Sequence, residues 1–171
     1  MPFPISTPVQ TTRIDNHYWQ VGSDATKVYS SKKAAYVPVT DVGYVAWSAM
    51  NTVSIIDAQT LFDTLVELWV PLYLANGIQI VSTGNPALNG TYPLDPLSQQ
   101  QINGSATSIA AGRGVPGGGS TFIYQGHSFT EATFLNFADG ASNYVYNVYH
   151  SLGQIVMTGS GSLPTQPVTI A

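Results

Sequence analysis

Apolar and polar positions alternate near the beginning of the chain, which predicts strands there. β-forming residues dominate two runs, His17 to Val21 and Lys27 to Ser30, and a turn signal separates them. A third run covers residues 34–39 and contains Pro38, which confines it to an edge strand or a strand end. We therefore predict a small antiparallel sheet over residues 17–40.

Helical spacing then marks a central helix between Asp57 and Gly77. Asp57 is a suitable N-cap, and Gly77 suits the helix end. Such a helix carries its apolar residues on two neighbouring stripes: Leu61, Leu65, Leu68 and Leu72 on one, and Phe62, Val66, Trp69 and Tyr73 on the other. This face is wider than a surface helix needs, so we expect deep burial or packing on another subunit. Pro71 is expected to kink or interrupt the last turns.

Shorter elements surround the central helix. Asp41 predicts the start of a short helix before it. After it we predict a strand–turn–strand unit, a helix capped by Asp95, and a further short strand. A last, long helix is predicted within residues 127–156, capped by Thr130 or Ser128.

These elements predict an α+β fold with extended terminal arms. The segments are, in order, an N-terminal arm (1–16), a β-rich module with a short helix (17–56), the central helix (57–77), a C-terminal α+β module (78–158) and a C-terminal tail (159–171). Prolines interrupt both ends, so neither end is expected to fold alone. We expect the arms to lie across a neighbouring molecule and add a strand to it. Deleting residues 159–171 is accordingly expected to leave the fold intact and to abolish assembly.

The composition indicates an unusually uncharged surface. Of the 171 residues, 44% are hydrophobic, which supplies a core, and only 8% are charged, where a soluble domain usually has about 25%. Uncharged polar side chains must then cover the surface, and such a surface tolerates close contact between protein copies. The ten tyrosines and three tryptophans suit an interface as well as a core.

The same composition argues against several functions. Five basic residues and a net charge of −4 do not suit nucleic acid, whose phosphates require clustered Lys and Arg. The absence of cysteine excludes disulfides and cysteine-based zinc sites. The N-terminus carries no secretory signal, and no apolar run is long enough to cross a membrane. We therefore expect neither nucleic acid nor a membrane as a partner.

Glycine clusters in residues 110–121, where Gly112, Gly114 and Gly117 match the spacing of a dinucleotide-binding loop. That loop requires a strand before it and a helix after it, and the predicted order here is the reverse. Pro116 also removes an amide that would face the phosphates. We interpret Gly112 as a left-handed helix cap and the other glycines as a connector.

The sequence shows no pattern of a catalytic centre. The spacing of His17, His127 and His150 does not support a metal site. No Gly-x-Ser-x-Gly turn holds a serine nucleophile between a strand and a helix. The two glutamates, Glu67 and Glu131, both fall on predicted helices rather than converging in a cleft. We expect no enzymatic activity and assign no catalytic, cofactor-binding or metal-binding residue.

Three segments resemble a known group of proteins. The chain reads HYWQVGSDATKVYSSKKAAYVPVTDVGYVAW at 17–47, STGNPALNGTYPLDPLSQQQI at 82–102 and HSFTEATFLNFADGASNYVYNVY at 127–149. The first segment resembles the N-terminal module of small, uncharacterised tail-region proteins of tailed bacteriophages and prophages. The other two are similar to a companion module of that group. The central helix and the C-terminal tail have no counterpart, and the group offers no known activity or catalytic residues.

The resemblance implies a structural virion protein, located in the tail as a tail, baseplate or tail-fibre attachment component. Its expected partners are other virion proteins and copies of itself. Two alternatives stay open. One is a capsid decoration or head protein, and the other is a receptor- or glycan-binding fibre module that contacts the host surface. An exposed Tyr or Trp platform beside Asp and Asn would favour the last of these.

Overall fold

Helices and short strands combine in this chain, which confirms the predicted α+β class. The computed structural model describes residues 14–171, so residues 1–13 of the predicted N-terminal arm lie outside the described residues. The strands are β1 (Tyr18–Val21), β2 (Lys27–Ser30), β3 (Ala35–Pro38), β4 (Ser54–Ile56), β5 (Ile78–Ser82), β6 (Gly90–Tyr92), β7 (Thr121–Tyr124), β8 (His127–Thr130) and β9 (Val168–Ile170). The helices are α1 (Val42–Ser48), α2 (58–75), α3 (Pro96–Ala110) and α4 (Glu131–Thr158). Short 3-10 turns form at Ile14–Asn16 and Pro86–Leu88.

The N-terminal sheet has the order β3-β2-β1-β4. Strands β1, β2 and β3 pair antiparallel, as predicted, but β4 pairs parallel to β1, with Gln20 opposite Ile55. The prediction of a purely antiparallel sheet is therefore wrong, and the sheet is mixed. β4 was not predicted because its three residues are too few to show the two-residue period of a strand. Its parallel direction results from the crossover through α1, which connects β3 to β4.

The two faces of this sheet serve different cores. Trp19 and Tyr29 face the main core of the molecule. Tyr18, Val28 and Val37 face the other way and pack with Trp47 of α1. The helix begins where predicted, because the Asp41 side chain accepts hydrogen bonds from the backbone amides of Gly43 and Tyr44.

The central helix α2 contains a π-helical turn. Ala58–Thr64 and Val70–Ala75 are α-helical, and Leu65–Trp69 between them is π-helical. Asp57 caps the start, as predicted, by accepting from the Thr60 amide at 2.9 Å. A proline ring collides with the carbonyl four residues before it in a regular α-helix. Here the wider turn precedes Pro71, and the helix continues through the proline instead of ending at it.

The π-helical turn changes which leucines are buried. One extra residue in a turn rotates the following part of the helix by about 100° relative to a regular α-helix. Leu61 and Leu65 are buried as predicted, but the buried positions after them are Trp69, Val70 and Leu74. Two members of the predicted leucine stripe therefore point outward, with 49% of Leu68 and 54% of Leu72 exposed. The uniform 3.6-residue period assumed for the stripe fails at this turn.

The chain after α2 forms a second sheet, a helix and a hairpin. β5 and β6 pair antiparallel, and Asp95 caps α3 as predicted. Residues 127–130, predicted to belong to the last helix, instead form β8, which pairs with β7. The two residues between them, Gln125 and Gly126, both have positive φ, as tight hairpin turns require. Thr130 then caps α4, as predicted, in a reciprocal pair with Thr133.

An aromatic cluster joins this hairpin to α4 and β6. Phe137 of α4 occupies its centre, with ring centroids 4.7 Å from Tyr92, 5.3 Å from Phe129 and 5.6 Å from Phe134. All four side chains are fully buried. These separations are in the range in which aromatic pairs contribute beyond their buried area, so the cluster is a major part of the core.

The C-terminal tail folds onto its own chain. β9 pairs parallel with β5, with Val81 opposite Thr169, and completes a three-stranded sheet of order β6-β5-β9. Ile170 is buried, only 5% exposed. The tail is extended, as predicted, but the interpretation that it cannot fold without a neighbour is wrong. Val168 and Ile170 are spaced by two residues, so they turn apolar side chains to one face.

Two glycines of the long helix α4 allow other elements to approach closely. A Cβ at Gly140 would lie 3.0 Å from Cγ2 of Ile170, and one at Gly153 would lie 3.5 Å from the ring of Phe62. β9 and α2 therefore pack on α4 at positions without side chains. Gly104 in α3 differs, because a Cβ there would meet nothing within 4 Å.

This difference predicts opposite effects of one substitution in two helices. We expect Gly104→Leu to raise the free energy of unfolding by about 0.5–1 kcal/mol, because leucine is a much better helix former than glycine. Gly140→Leu should lower it by about 1–3 kcal/mol, because the new side chain displaces β9. Urea unfolding followed by circular dichroism measures both. An equal gain at both positions would show that β9 does not rest on α4.

Candidate interaction surfaces

An open groove of about 1250 Å³ lies beside α1. The turn Ile14–Asn16, the β2–β3 turn and α1 form its sides, and Tyr18 and Trp47 lie in its floor. The ring of His17 packs 4.4 Å from Trp19 and 4.9 Å from Trp47. Burial lowers the pKa of His17, because it disfavours the charged imidazolium. The floor of the groove is thus aromatic.

One ion pair lies on the rim of this groove. Nζ of Lys33 is 2.6 Å from Oδ2 of Asp41. The hydrogen bond from Lys33 lowers the pKa of Asp41, and the same contact raises the pKa of Lys33. The carboxylate of Asp41 also accepts the two amides that start α1. Since its oxygens are already engaged, Asp41 serves the structure of this corner rather than acting as a general base.

The residues that carry the N-terminal resemblance mostly hold the sheet together. Tyr29, Ser30 and Ser31 are buried in and just after β2, and Ser31 Oγ accepts from the His17 amide at 2.8 Å. Tyr36 in β3 donates to the Val156 carbonyl of α4 at 2.9 Å. Trp47 packs on Tyr18 at 5.3 Å. The resemblance therefore rests on residues that define a fold, and not on an exposed functional set.

Large apolar side chains are exposed on several elements. Val42 at the start of α1 and Met50 just after its end are 84% and 85% exposed. Leu68 and Leu72 form an outward pair on α2, which we call the leucine pair. The other exposed large apolar residues of the described chain are Val45, Ile55, Leu97, Ile123, Tyr146 and Met157. Exposed apolar side chains of this kind, in a chain with few charges, suit contacts with other proteins.

A small cleft lies between α3 and α4. Its volume is about 240 Å³, and buried Leu94, Ile102 and Ala141 form its floor. Asn103 and Tyr146 lie on its rim. An apolar floor with polar edges of this size fits one apolar side chain of a partner, and not an extended ligand.

The three histidines lie in separate environments. Nδ1 of His127 is 2.8 Å from the carbonyl oxygen of Ala87, and the ring of His150 stacks on Tyr146. Within residues 14–171, no three His, Asp or Glu side chains converge to hold a metal ion. Glu67 lies in the π-helical turn of α2, and Glu131 lies in the first turn of α4.

The glycine-rich segment has the element order expected for a connector. α3 ends before Gly112, which has φ 72°, and β7 begins at Thr121. Gly117 also has positive φ, and a Cβ there would meet nothing within 4 Å. Buried Val115 anchors the middle of the segment. The element directly after the glycines is the strand β7 and not a helix, the reverse of the order in a dinucleotide-binding loop.

A polar network that no sequence pattern indicated fixes the tail. Nε2 of Gln166 donates to the Tyr144 hydroxyl at 2.7 Å, and Oε1 of Gln166 accepts from the Gln79 amide at 2.7 Å. The hydroxyls of Tyr144 and Tyr73 are 3.2 Å apart. Burial and the contact with Tyr144 raise the pKa of Tyr73. The three contacts join residues 22 to 87 positions apart in sequence, so no local pattern could have indicated the network.

In the described part of the chain, none of the helices combines the length and the hydropathy needed to cross a bilayer. Comparison of the chain with protein-family models, with curated proteins and with solved structures finds no match.

Proposed function

We propose that this chain is a structural virion protein of a tailed bacteriophage and acts in the tail, the baseplate or the attachment of tail fibres. It works through contacts with other virion proteins and with copies of itself. The sequence resemblance suggested this role, and the surface of the described chain supports it. The proposal includes no enzymatic activity, cofactor, nucleic acid or membrane.

The outward leucine pair is the observation that carries the proposal. A regular α-helix would place Leu68 and Leu72 on the buried stripe with Leu61 and Leu65. The π-helical turn brings Trp69, Val70 and Leu74 inward instead and leaves the leucine pair exposed. π-helical turns are rare and occur frequently at functional sites. An exposed apolar pair on the central helix is what a docking contact between structural proteins requires.

Two alternative functions share part of this support. A capsid decoration or head protein would need the same uncharged, apolar surface. A glycan-binding fibre module would need an exposed aromatic platform. Trp19, Trp47 and Trp69 are all buried, and Tyr146 is exposed but its ring stacks on His150. The described surface therefore favours protein contacts over glycan binding.

Mass spectrometry of purified particles tests the proposal. Peptides of this chain should be present in particles of the source phage or induced prophage, with a copy number measured against the major capsid protein. A low copy number, on the order of tens, supports the tail, and hundreds of copies would move the protein to the head or the tail tube. Absence from the particle would refute the structural role.

A double substitution tests the leucine pair itself. We expect Leu68→Ser with Leu72→Ser to lower incorporation into particles at least about tenfold, because the loss of a central apolar contact costs on the order of 1–2 kcal/mol or more. The melting temperature should change little, since both side chains are half exposed. Ile123→Ser on β7 is the matched control, also at an exposed apolar residue, and should incorporate normally. Normal incorporation of the double variant would exclude α2 as a docking contact.

A further inference from the structure

The C-terminal tail, residues 159–171, can be separated from the rest of the fold. We call it the strap. We propose that two copies of the chain exchange their straps, so that β9 of one copy pairs with β5 of the other. This inference goes beyond the virion role, because it concerns how copies of this chain join in any assembly.

A glycine hinge connects the strap to α4. Gly159 ends the helix with φ 73°, and Gly161 has φ 110°. These conformations are easily reached by glycine and leave the direction of the following chain adjustable. Between the hinge and β9, Leu163 contacts the main core and Gln166 binds the polar network. The strap is therefore joined to α4 by a glycine hinge, and after this hinge it contacts the rest of the fold at a few defined residues.

The site that receives the strap is built by other elements. β5 is held on its other edge by β6, with Ile78 opposite Tyr92. Gly140 of α4 provides the flat surface on which Ile170 rests. β6 pairs with β5 without the strap, and α4 uses only the hinge residue Gly159, which caps its last turn. The receiving site can thus accept an identical strap from a second copy.

The polar contacts of the strap beyond its hinge cross to the body of the protein and are reproducible in trans. Those of Gly159 and Ser160 with the end of α4 belong to the hinge itself. Gln166 contacts Gln79 and Tyr144, and the Ile170 carbonyl accepts from the Thr83 amide at 2.9 Å. Asn136 donates to the Ala171 carbonyl at 3.3 Å. The strap carries no charged side chain, so exchange brings no charge repulsion. An exchanged dimer then has the same contacts as two monomers, and only the hinge conformation and the concentration differ.

The segment that connects α4 to the contact of Gln166 is only slightly longer than the distance that it must bridge within one chain. Thr158 lies about 21 Å along the helix axis from Tyr144, at about 1.5 Å per residue. The segment 159–166 that bridges this span is about 28 Å long when fully extended. Removing three residues would shorten it to about 17 Å, which leaves no slack for closure on the same chain. A shortened strap should therefore favour pairing with a second copy.

Disulfide trapping tests the exchange, because the chain contains no cysteine. Val81 and Thr169 are opposite each other in the β5–β9 register, and facing strand positions suit a disulfide. Val81→Cys and Thr169→Cys chains, mixed at about 1 mM, the order of the effective concentration of a tethered strap, should form a covalent heterodimer. The yield should fall when the mixture is diluted to about 10 µM.

Two controls make the result decisive. The doubly substituted chain should close a disulfide within one molecule, which verifies the register. Gln101→Cys, on an exposed position of α3, replaces Val81→Cys in the second control and should give only background dimer with Thr169→Cys. A yield from Val81→Cys no higher than this background, with full closure in the double variant, would overturn the proposal.

Shortening the hinge gives an independent readout. We expect the chain lacking residues 160–162 to be a dimer by light scattering at concentrations where the full chain is a monomer. Its far-ultraviolet circular dichroism should match that of the full chain, because β9 still pairs with β5. A shortened chain that is folded and monomeric would overturn the proposal.

Discussion

Removing residues 166–171 is expected to lower the free energy of unfolding by about 4–6 kcal/mol. The deletion removes buried Ile170, exposes the edge of β5, and leaves the Gln79 amide and the Tyr144 hydroxyl without Gln166. Since proteins of this size are stable by only about 5–15 kcal/mol, the truncated chain should be close to unfolding at room temperature. Urea unfolding measured by circular dichroism and tryptophan fluorescence gives the value.

Two neighbouring substitutions separate the contribution of the buried side chain of β9 from that of its backbone pairing with β5. Ile170→Ala should lower the free energy of unfolding by about 2–4 kcal/mol, because the side chain is buried against α4. Thr169→Ala, next to it on the exposed face of the strand, should change it by less than about 0.5 kcal/mol. Truncation with no loss of stability would restore the interpretation of residues 159–171 as a free arm.

The second large effect is expected at the centre of the aromatic cluster. Phe137→Ala should lower the free energy of unfolding by about 3–5 kcal/mol, because a fully buried ring is lost and the cavity cannot collapse. Its neighbours Tyr92 and Phe129 lie on β6 and β8, and Phe134 lies in the preceding turn of α4. The loss therefore weakens the contacts among β6, the β7–β8 hairpin and α4 together. Thermal and urea unfolding provide the measurement.

Phe122→Ala is the matched control for this cluster. Phe122 lies on β7 and its ring is 4.7 Å from Phe134, but the side chain is only partly buried. We expect a loss of about 1–2 kcal/mol, in proportion to the smaller area removed from the core. Equal losses at Phe122 and Phe137 would show that the cluster has no distinct centre.

Local signals were sufficient to predict most element starts. Asp41, Asp57, Asp95 and Thr130 each cap the helix they were predicted to cap. Each of these signals acts within one helical turn, because a side-chain oxygen binds an amide two or three residues later. The glycine cap at Gly112 is local in the same sense. Predictions that depend only on such short-range contacts could be made from the sequence.

Non-local pairing could not be predicted in the same way. The parallel strands β4 and β9 have three residues each, and their partners lie beyond a helix or across half the chain. The exposed leucine pair was missed because one additional residue in a helical turn changes the face of everything after it. The network of Gln166 joins residues with no common spacing. The candidate surfaces depend on these features, so the sequence alone indicated their composition and not their position.

The pairing of β9 with β5 also has a consequence for the order of folding. β5 and β6 join residues 80 and 90, whereas β5 and β9 join residues 80 and 168. Closing the loop that is about nine times longer costs about 2 kcal/mol more in chain entropy. We therefore expect β9 to dock last and to open first, which amide hydrogen exchange at Ile170 would show as weaker protection than at Ile80, opposite Gly90 in the β5–β6 pair. The folding chain thus passes through a form in which every element except β9 is in place. The concentration of other copies at that stage determines whether β9 pairs with β5 of its own chain or of a neighbour.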